Sequence, residues 1–207
     1  MKQISTKQLF TLLLVLLTFN ASAQLPWKCD GRAIGTWSAT EGYNVTTNLY
    51  TASFTPSGNV VYVNKTATTG IGLNAIGFRK QDGFVYGVRY LNGSNNALIR
   101  IDSAGTMTNM GNISGMPGDA YYAGACDVNG YLYVIRNGGS NQLYKIDVTT
   151  RAATLIGSTN ESFIDIAFDP LTNILYGTAG ATLYTISTSE VSGGGTATQV
   201  GSSYTGS

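Results

Sequence analysis

The sequence predicts an all-β protein: a β-propeller, or a partial propeller arc, built from four-stranded antiparallel blades. Tyr121 to Gly157 and Ser162 to Gly201 each contain four short β-forming stretches, and Leu73 to Gly111 follows the same plan. A repeat of about 40–50 residues that holds four strands is typical of a propeller blade. Tight-turn pairs such as Asn129-Gly130 separate the first two strands of a repeat. The predicted repeat units are about 29–72, 73–113, 121–159 and 162–201.

The first 23 residues have the features of a secretory signal peptide. Lys2 and Lys7 accompany an apolar run from Leu9 to Phe19, and Ala21-Ser22-Ala23 fits the small-x-small cleavage rule. The run is shorter than the roughly 20 residues that cross a bilayer. We therefore expect cleavage after Ala23, a mature domain over 24–207 with no membrane span, and a secreted or cell-surface location. An uncleaved anchor is the alternative.

Charge and composition exclude several function classes. Without residues 1–23 the chain has ten basic and eleven acidic residues and no basic stripe, so nucleic acid is not an expected partner. The absence of histidine excludes Ser-His-Asp and Cys-His catalytic sites and histidine-ligated metals within this chain. We predict neither a metal site nor a cofactor. The two cysteines, Cys29 and Cys126, either form a disulfide, as an exported chain allows, or stay separate thiols with Cys126 filling a small core position.

The first unit is the least regular, and its elements are predicted from local pattern. Ala33 to Ala39 suits a strand, and Asn48 to Phe54 resembles the third strand of the later repeats. Thr55 to Asn59 has turn composition, and Val60 to Val63 is a β-branched and aromatic run that favours another strand.

The later units align strand by strand. The innermost strands have a small residue before their last position, which suits the crowded axis of a propeller. The second strands carry a tyrosine at intervals of 47 and 43 residues, and we expect these tyrosines to pack between blades with the hydroxyl reaching water or backbone. The third strands alternate apolar and polar residues and end on Asp102, Asp147 or Ser187, which suit Asx or Ser turns. The predicted innermost strands are Asn74–Phe78, Tyr122–Cys126 and Ile164–Phe168, with Gly77, Ala125 and Ala167 as the small residues and Tyr86, Tyr133 and Tyr176 as the tyrosines.

Four segments carry a resemblance to a known family: NAIGFRKQDGFVYG, LIRIDSAGTMTNMG, YYAGACDVNGYLYV and IDIAFDPLTNILYG. They resemble a family of secreted bacterial propeller-type domains of unknown function, related to propellers with YVTN-like repeats. The resemblance covers roughly Cys29 to Gly201 and implies a propeller fold and export. It implies no catalytic residues. Cys126 departs from the pattern, which favours an acidic or small residue there.

The candidate ligand-binding residues are polar or aromatic groups on or beside the inner strands. Asp165 lies within an apolar inner strand, where its carboxylate either faces the central channel or accepts backbone amides at the axis. Asn74 begins another inner strand, and Tyr122, paired with Tyr121 and with Tyr90, is a candidate aromatic platform for a sugar, although such residues also serve as packing.

Two other acidic sets have structural or chemical interpretations. Asp82, Asp127 and Asp169 each stand alone in a blade turn, which favours turn capping over a calcium loop. Asp30 with Glu41 has the composition of a glycosidase carboxylate pair, but the sequence gives no reason to expect the separation of about 5–10 Å that such chemistry needs.

Two functional hypotheses follow. The first is an exported, non-catalytic module that binds a glycan or a protein, or displays other domains. The second is a propeller enzyme (a lyase, hydrolase or quinoprotein-like oxidoreductase) that uses carboxylates or a bound metal, and it depends only on the fold. Because four repeats are few for a propeller, we also expect that the domain is incomplete at its C-terminus and that the full-length protein has further blades or domains.

Overall fold

The computed structural model describes residues 24–28, 33–37, 47–67, 72–90, 96–136 and 141–203, without the side chains of Trp37, Thr66, Ala67 and Tyr90. Their strands form four antiparallel sheets, arranged as the blades of a four-blade β-propeller, which confirms the predicted fold class. No helix in this part of the chain is long and apolar enough to cross a membrane.

Each sheet is a meander whose strands follow one another in chain order. The first sheet contains β1 (Ala33–Trp37), β2 (Asn48–Phe54) and β3 (Val60–Ala67). The second contains β4 (Gly72–Arg79), β5 (Phe84–Tyr90), β6 (Ala97–Ile101) and β7 (Met107–Asn112). The third contains β8 (Tyr121–Cys126), β9 (Leu132–Arg136), β10 (Gln142–Asp147) and β11 (Ala152–Ser158). The fourth contains β12 (Asp165–Phe168), β13 (Leu175–Ala179), β14 (Thr182–Ile186) and β15 (Ala197–Val200).

The register of β2 shows which strand of the other blades it corresponds to. The ladder between β2 and β3 shifts register after Leu49, as the ladders of the second and third sheets do after Leu98 and Leu143. All three leucines are fully buried. The strand β2 therefore corresponds to the third strand of a blade, as the sequence predicts. The strand β1 then holds the second-strand position, and no strand lies inside it in the part of the first sheet that the structure describes.

Three apolar clusters join successive sheets. One contains Leu49 of the first sheet with Val85 and Ile101 of the second. The next joins the second and third sheets, and the last joins the third and fourth. Within the described residues, no such cluster joins the fourth sheet to the first. Burial of apolar surface between neighbouring blades, at about 25 cal/mol per Å², is thus the main force that holds the sheets together.

The innermost strands approach so closely that glycine is required. A Cβ atom added at Gly124 of β8 would lie 2.3 Å from the carbonyl carbon of Ala75 in β4. A Cβ at Gly77 of β4 would lie 2.6 Å from the backbone nitrogen of Cys126. Both distances are far below van der Waals contact. The sequence-based explanation for small residues on these strands, crowding at the axis, is confirmed.

The blade turns are capped by aspartates, as predicted. Oδ1 of Asp127 accepts the backbone N–H groups of Asn129 and Tyr131 at 3.0 and 2.8 Å. Asp169 accepts the N–H of Leu171 at 2.9 Å, and Asp82 accepts that of Phe84 at 3.2 Å. These bonds fix the turn that follows each inner strand.

The segment 24–28 packs on the second blade. The Trp27 side chain is buried in the cluster between the first two sheets, and its indole N–H donates to the carbonyl of Ile101 at 3.3 Å. The backbone N–H of Trp27 donates to the carbonyl of Gly83 at 2.6 Å. Gln24 contacts Arg100 and Thr108. The start of the described chain is therefore part of the folded domain.

Candidate functional site

The candidate site is a cavity of about 820 Å³ at the axis of the propeller. Strands from all four sheets line it: β1, β4, β8 and β12. Most lining groups are apolar or backbone, as the narrow inner strands require. Apart from the thiol of Cys126, the polar side chains at the cavity are Thr36, Asn74, Tyr122, Ser162 and Asp165.

Asp165 begins β12, and it both faces the cavity and accepts a backbone amide, the two roles that the sequence left open. Its Oδ1 accepts the backbone N–H of Ile166 at 2.9 Å, and the residue lines the cavity. Its second carboxylate oxygen has no hydrogen-bond partner in the described part of the chain. Desolvation within the cavity raises the pKa of the Asp165 carboxyl above its usual value.

Asn74 occupies the position in β4 that Asp165 occupies in β12. Asn74 lies opposite Val88, and Asp165 lies opposite Thr178, two residues after the repeated tyrosine in each case. Oδ1 of Asn74 accepts the backbone N–H of Ala75 at 2.9 Å, the same contact that Asp165 makes. The Asn74 side chain makes no other hydrogen bond among the described residues. Two of the four strands at the cavity thus present a side chain with one polar group still available.

A bulge in β4 produces this equivalence. The register shifts between Asn74 and Gly77, and Ala75 adopts a positive φ of 50°. A non-glycine residue in the left-handed region is uncommon, and here the Asn74 side chain stabilises it through the bond to the Ala75 N–H.

Tyr121 and Tyr122 lie on opposite faces of β8, so they do not form one aromatic platform, and Tyr121 serves as packing, the other interpretation that the sequence left open. Successive residues of a strand point to opposite faces, so Tyr122 is 40% exposed at the cavity while Tyr121 is buried. Tyr121 packs edge-on against Tyr144, with ring centroids 5.9 Å apart, and its hydroxyl donates to the carbonyl of Pro117 at 3.1 Å. The side chain of Tyr90 lies outside the described part of the structure.

Cys126 lies at the cavity as a free thiol. Burial raises the pKa of this thiol from 9.0 to about 12, with a further contribution from the charge of Asp127. Cys29 lies outside the described residues, so both alternatives, a Cys29–Cys126 disulfide and two separate thiols, stay open. The acids Asp30 and Glu41 also lie outside them.

Within the described ranges, no group of three or more Cys, Asp or Glu side chains is placed to hold a metal ion. The lining residues Ile34, Gly35, Thr36 and Ser162 were not predicted from the sequence, because they have no distinctive chemistry and are brought together only by the ring of blades.

Residues 37–207 match the sequence pattern of a repeat of unknown function, DUF6923. This chain belongs to that family. The match covers all four sheets apart from most of β1. It agrees with the resemblance to a propeller family of unknown function. No protein of curated function is similar enough to this chain to match it.

Solved structures with a similar fold are distant in sequence. A protein of unknown function from Bacteroides thetaiotaomicron is 17% identical with a TM-score of 0.49, over 80% of this chain and 42% of that one. The major allergen Mala s 1 of Malassezia sympodialis is 16% identical with a TM-score of 0.48, over 84% and 60% of the two chains. Virginiamycin B lyase from Staphylococcus aureus is 16% identical with a TM-score of 0.43, over 73% and 52%. This chain spans about half the length of these proteins, and likenesses of this size carry no argument about function.

Proposed function

We propose that this protein is an exported, non-catalytic binding module that works outside the cell or at its surface and binds a glycan in the axial cavity. One observation carries the proposal. Asp165 and Asn74 each use one oxygen to hold the strand backbone and leave the other polar group available at the cavity.

The chemistry of the cavity suits sugar hydroxyls. The available carboxylate oxygen of Asp165 accepts hydrogen bonds, the amide of Asn74 donates them, and the exposed ring of Tyr122 offers a face on which a sugar can stack. The cavity volume of about 820 Å³ falls in the range of small-molecule sites, about 300–1,000 Å³. A mono- or disaccharide unit fits such a space.

The carboxylate content of the cavity favours binding over hydrolysis. Glycoside hydrolysis uses two carboxyl groups on either side of the scissile bond. Asp165 is the single carboxylate among the described lining residues. The alternative, a propeller enzyme that uses carboxylates or a bound metal, predicts turnover of the bound glycan.

The raised pKa of Asp165 also predicts how this residue affects the stability of the fold. Because desolvation disfavours the ionised form in the folded state, Asp165 contributes most to stability below its unfolded pKa of 3.8 and less as the pH rises through its folded pKa. At neutral pH the substitution Asp165→Asn therefore leaves the melting temperature unchanged or raises it.

The test begins with a microarray of neutral and acidic glycans, probed with the labelled exported chain. The best soluble glycan is then titrated by calorimetry against the parent, Asp165→Asn and Asn74→Ala. Losing a hydrogen bond to a charged group removes about 2 kcal/mol, or roughly a thirtyfold loss of affinity for Asp165→Asn. Glu190→Gln is the matched control, because Glu190 pairs with Lys145 away from the cavity.

Three results would overturn the proposal. The first is the absence of binding to any glycan, and the second is an affinity that Asp165→Asn and Asn74→Ala leave unchanged. The third is release of new reducing ends from the bound glycan, which would support the enzyme alternative.

A further inference from the structure

Asp165 differs from the other aspartates that the structure describes in how few hydrogen bonds its carboxylate accepts. It accepts one, from the backbone N–H of Ile166. Asp102, for comparison, accepts the N–H groups of both Ala104 and Thr106, at 3.0 and 2.8 Å. Each of the remaining described aspartates also accepts at least two donors: Asp82, Asp119, Asp127, Asp147 and Asp169. The carboxylate of Asp165 is therefore the least satisfied of this set.

Asp165 also has no positively charged partner among the described residues. Elsewhere in the fold, an acid that is partly removed from water pairs with a cation, as Asp119 does with Arg136 at 2.7 Å. No described lysine or arginine forms an ion pair with Asp165 or lines the cavity. Desolvation raises the pKa of the Asp165 carboxyl, and no cation offsets this effect. Asp165 thus gives the described part of the cavity an uncompensated negative charge.

The fold itself does not require a charge at this position. In β4 the equivalent residue is the neutral Asn74, which makes the same contact with its own strand through Oδ1. In β8 the equivalent residue is Ala123, which lies opposite Ile135, two residues after Tyr133. The inner strands therefore accept an amide or a methyl group where β12 has a carboxylate. The contact with the Ile166 N–H does not explain why Asp165 is acidic.

We infer that the ligand of the axial cavity is an amino sugar whose free ammonium group binds the available carboxylate oxygen of Asp165. This inference rests on the proposed glycan-binding function and adds the class of the ligand. An ammonium group has three N–H donors and neutralises the carboxylate. Opposite charges attract more strongly in a partly desolvated cavity than in water, so an ammonium gains more from Asp165 than a sugar hydroxyl does. A sugar that carries a carboxylate is repelled.

The other groups at the cavity suit the same ligand. The ring of Tyr122 is 40% exposed there, and the face of an aromatic ring attracts cations as well as the apolar face of a sugar. The amide N–H groups of Asn74 can donate to sugar hydroxyls. A metal ion suits the cavity less well. Calcium takes about six to eight oxygen ligands, and no group of three or more acids or cysteines in the described ranges is placed to hold a metal.

Calorimetric titration of the exported chain with three matched trisaccharides tests the inference. The ligands are the trimers of glucosamine, of N-acetylglucosamine and of galacturonic acid, which carry an ammonium, no charge and a carboxylate on each sugar. We expect the glucosamine trimer to bind about tenfold or more tightly than the N-acetylated trimer, because a hydrogen bond between two charged groups replaces a weaker one. The galacturonic acid trimer should bind most weakly. Added salt should weaken binding of the glucosamine trimer more than that of the N-acetylated trimer.

Two substitutions change the charge of the cavity and keep an oxygen that can accept the backbone N–H. Asp165→Asn should remove the preference for the glucosamine trimer. Asn74→Asp adds a second carboxylate at the equivalent position and should increase that preference. Glu190→Gln is the matched control, because it changes the net charge as Asp165→Asn does, but Glu190 pairs with Lys145 away from the cavity. Thermal melts of every variant verify that it is folded.

Equal affinities of the parent for the glucosamine and N-acetylated trimers would overturn the inference, and so would a preference that Asp165→Asn leaves unchanged. Trilysine that binds more tightly than the glucosamine trimer would overturn the sugar as the source of the ammonium group. In each of these cases the proposed function still stands if another glycan binds with an affinity that depends on Asp165 and Asn74. If no glycan binds, the proposed function fails as well.

Discussion

The hydroxyl of Tyr86 donates to Oδ2 of Asp82 at 2.8 Å, and the same oxygen accepts Nη1 of Arg79 at 2.6 Å. The repeated tyrosine of the second blade is thus bound to a turn carboxylate, where the sequence indicated water or backbone. Tyr86 packs in the cluster between the second and third sheets. The bond therefore couples the inner-strand turn to the blade interface.

Tyr86→Phe should lower the free energy of unfolding by about 1–2 kcal/mol, because a partly buried hydrogen bond to a charged group is lost while the ring still packs. Chemical denaturation measures the change. Tyr176→Phe is the matched control, since the equivalent tyrosine of the fourth blade makes no hydrogen bond among the described residues. Equal losses in the two variants would contradict the role of the Asp82 contact.

Alkaline pH should destabilise the fold through the same residue. Burial, with the hydrogen bond to Asp82, raises the pKa of Tyr86 from 10.0 to about 12. Its contribution to stability is then complete below pH 10 and is lost as the pH rises from 10 to about 12, because the unfolded phenol ionises first. Denaturation curves across this range, together with tyrosinate absorbance, measure the loss. Tyr86→Phe should reduce the slope of the free energy of unfolding against pH in this range. A slope identical to that of the parent protein would contradict the prediction.

Gly124→Ala should destabilise the protein by about 2 kcal/mol or more, because the added Cβ would overlap the backbone of Ala75, which cannot move aside without displacing β4. Thermal and denaturant unfolding measure the effect. Gly35→Ala is the control in β1, since a Cβ there meets no atom within 4 Å. If both variants unfold at the same denaturant concentration, the close approach of β4 and β8 is not needed for the fold.

The exported protein should begin at Gln24. Cleavage after Ala23 follows from the signal-peptide pattern, and Gln24 contacts Arg100 and Thr108 on the second blade. Intact-mass spectrometry of the secreted chain and of the cell-associated fraction measures the start site. A mature form that still contains Met1 would exclude cleavage and favour the uncleaved anchor.

Oxidation of Cys29 and Cys126 should not be needed for folding. The neighbours of Cys126 already pack around it, and its pKa of about 12 leaves little reactive thiolate at neutral pH. We expect Cys126→Ala to melt within a few degrees of the parent, with and without reductant, and Cys126 to react slowly with iodoacetamide until the protein unfolds. A loss of several kcal/mol in the variant, reproduced by adding reductant to the parent, would indicate a structural disulfide.

The fold was accessible from the sequence because each blade repeats the same local signals. Asp-capped turns, alternating third strands and small inner residues act within a few residues of each other, and Asp127 and Gly77 have the predicted roles. Strand periodicity alone also places Tyr121 and Tyr122 on opposite faces of their strand, so the two rings cannot form one platform. The structural equivalence of Asn74 and Asp165 could not be predicted from the sequence. It depends on the bulge at Ala75, which no local residue pattern predicts. The docking of Trp27 was missed for a similar reason, since its partner Ile101 is distant in sequence.

The contact of Gly124 with Ala75 sets the spacing of two blades by main chain alone. Because main-chain atoms of β4 and β8 are already in contact there, smaller side chains on the cavity wall cannot bring these two strands closer together. On the proposed binding function, the ligand preference of the cavity would then depend on the side chains that project from this wall, such as those at positions 74, 122 and 165. Substitutions at these three positions should therefore change the chemistry of the ligand that the cavity accepts more than its size.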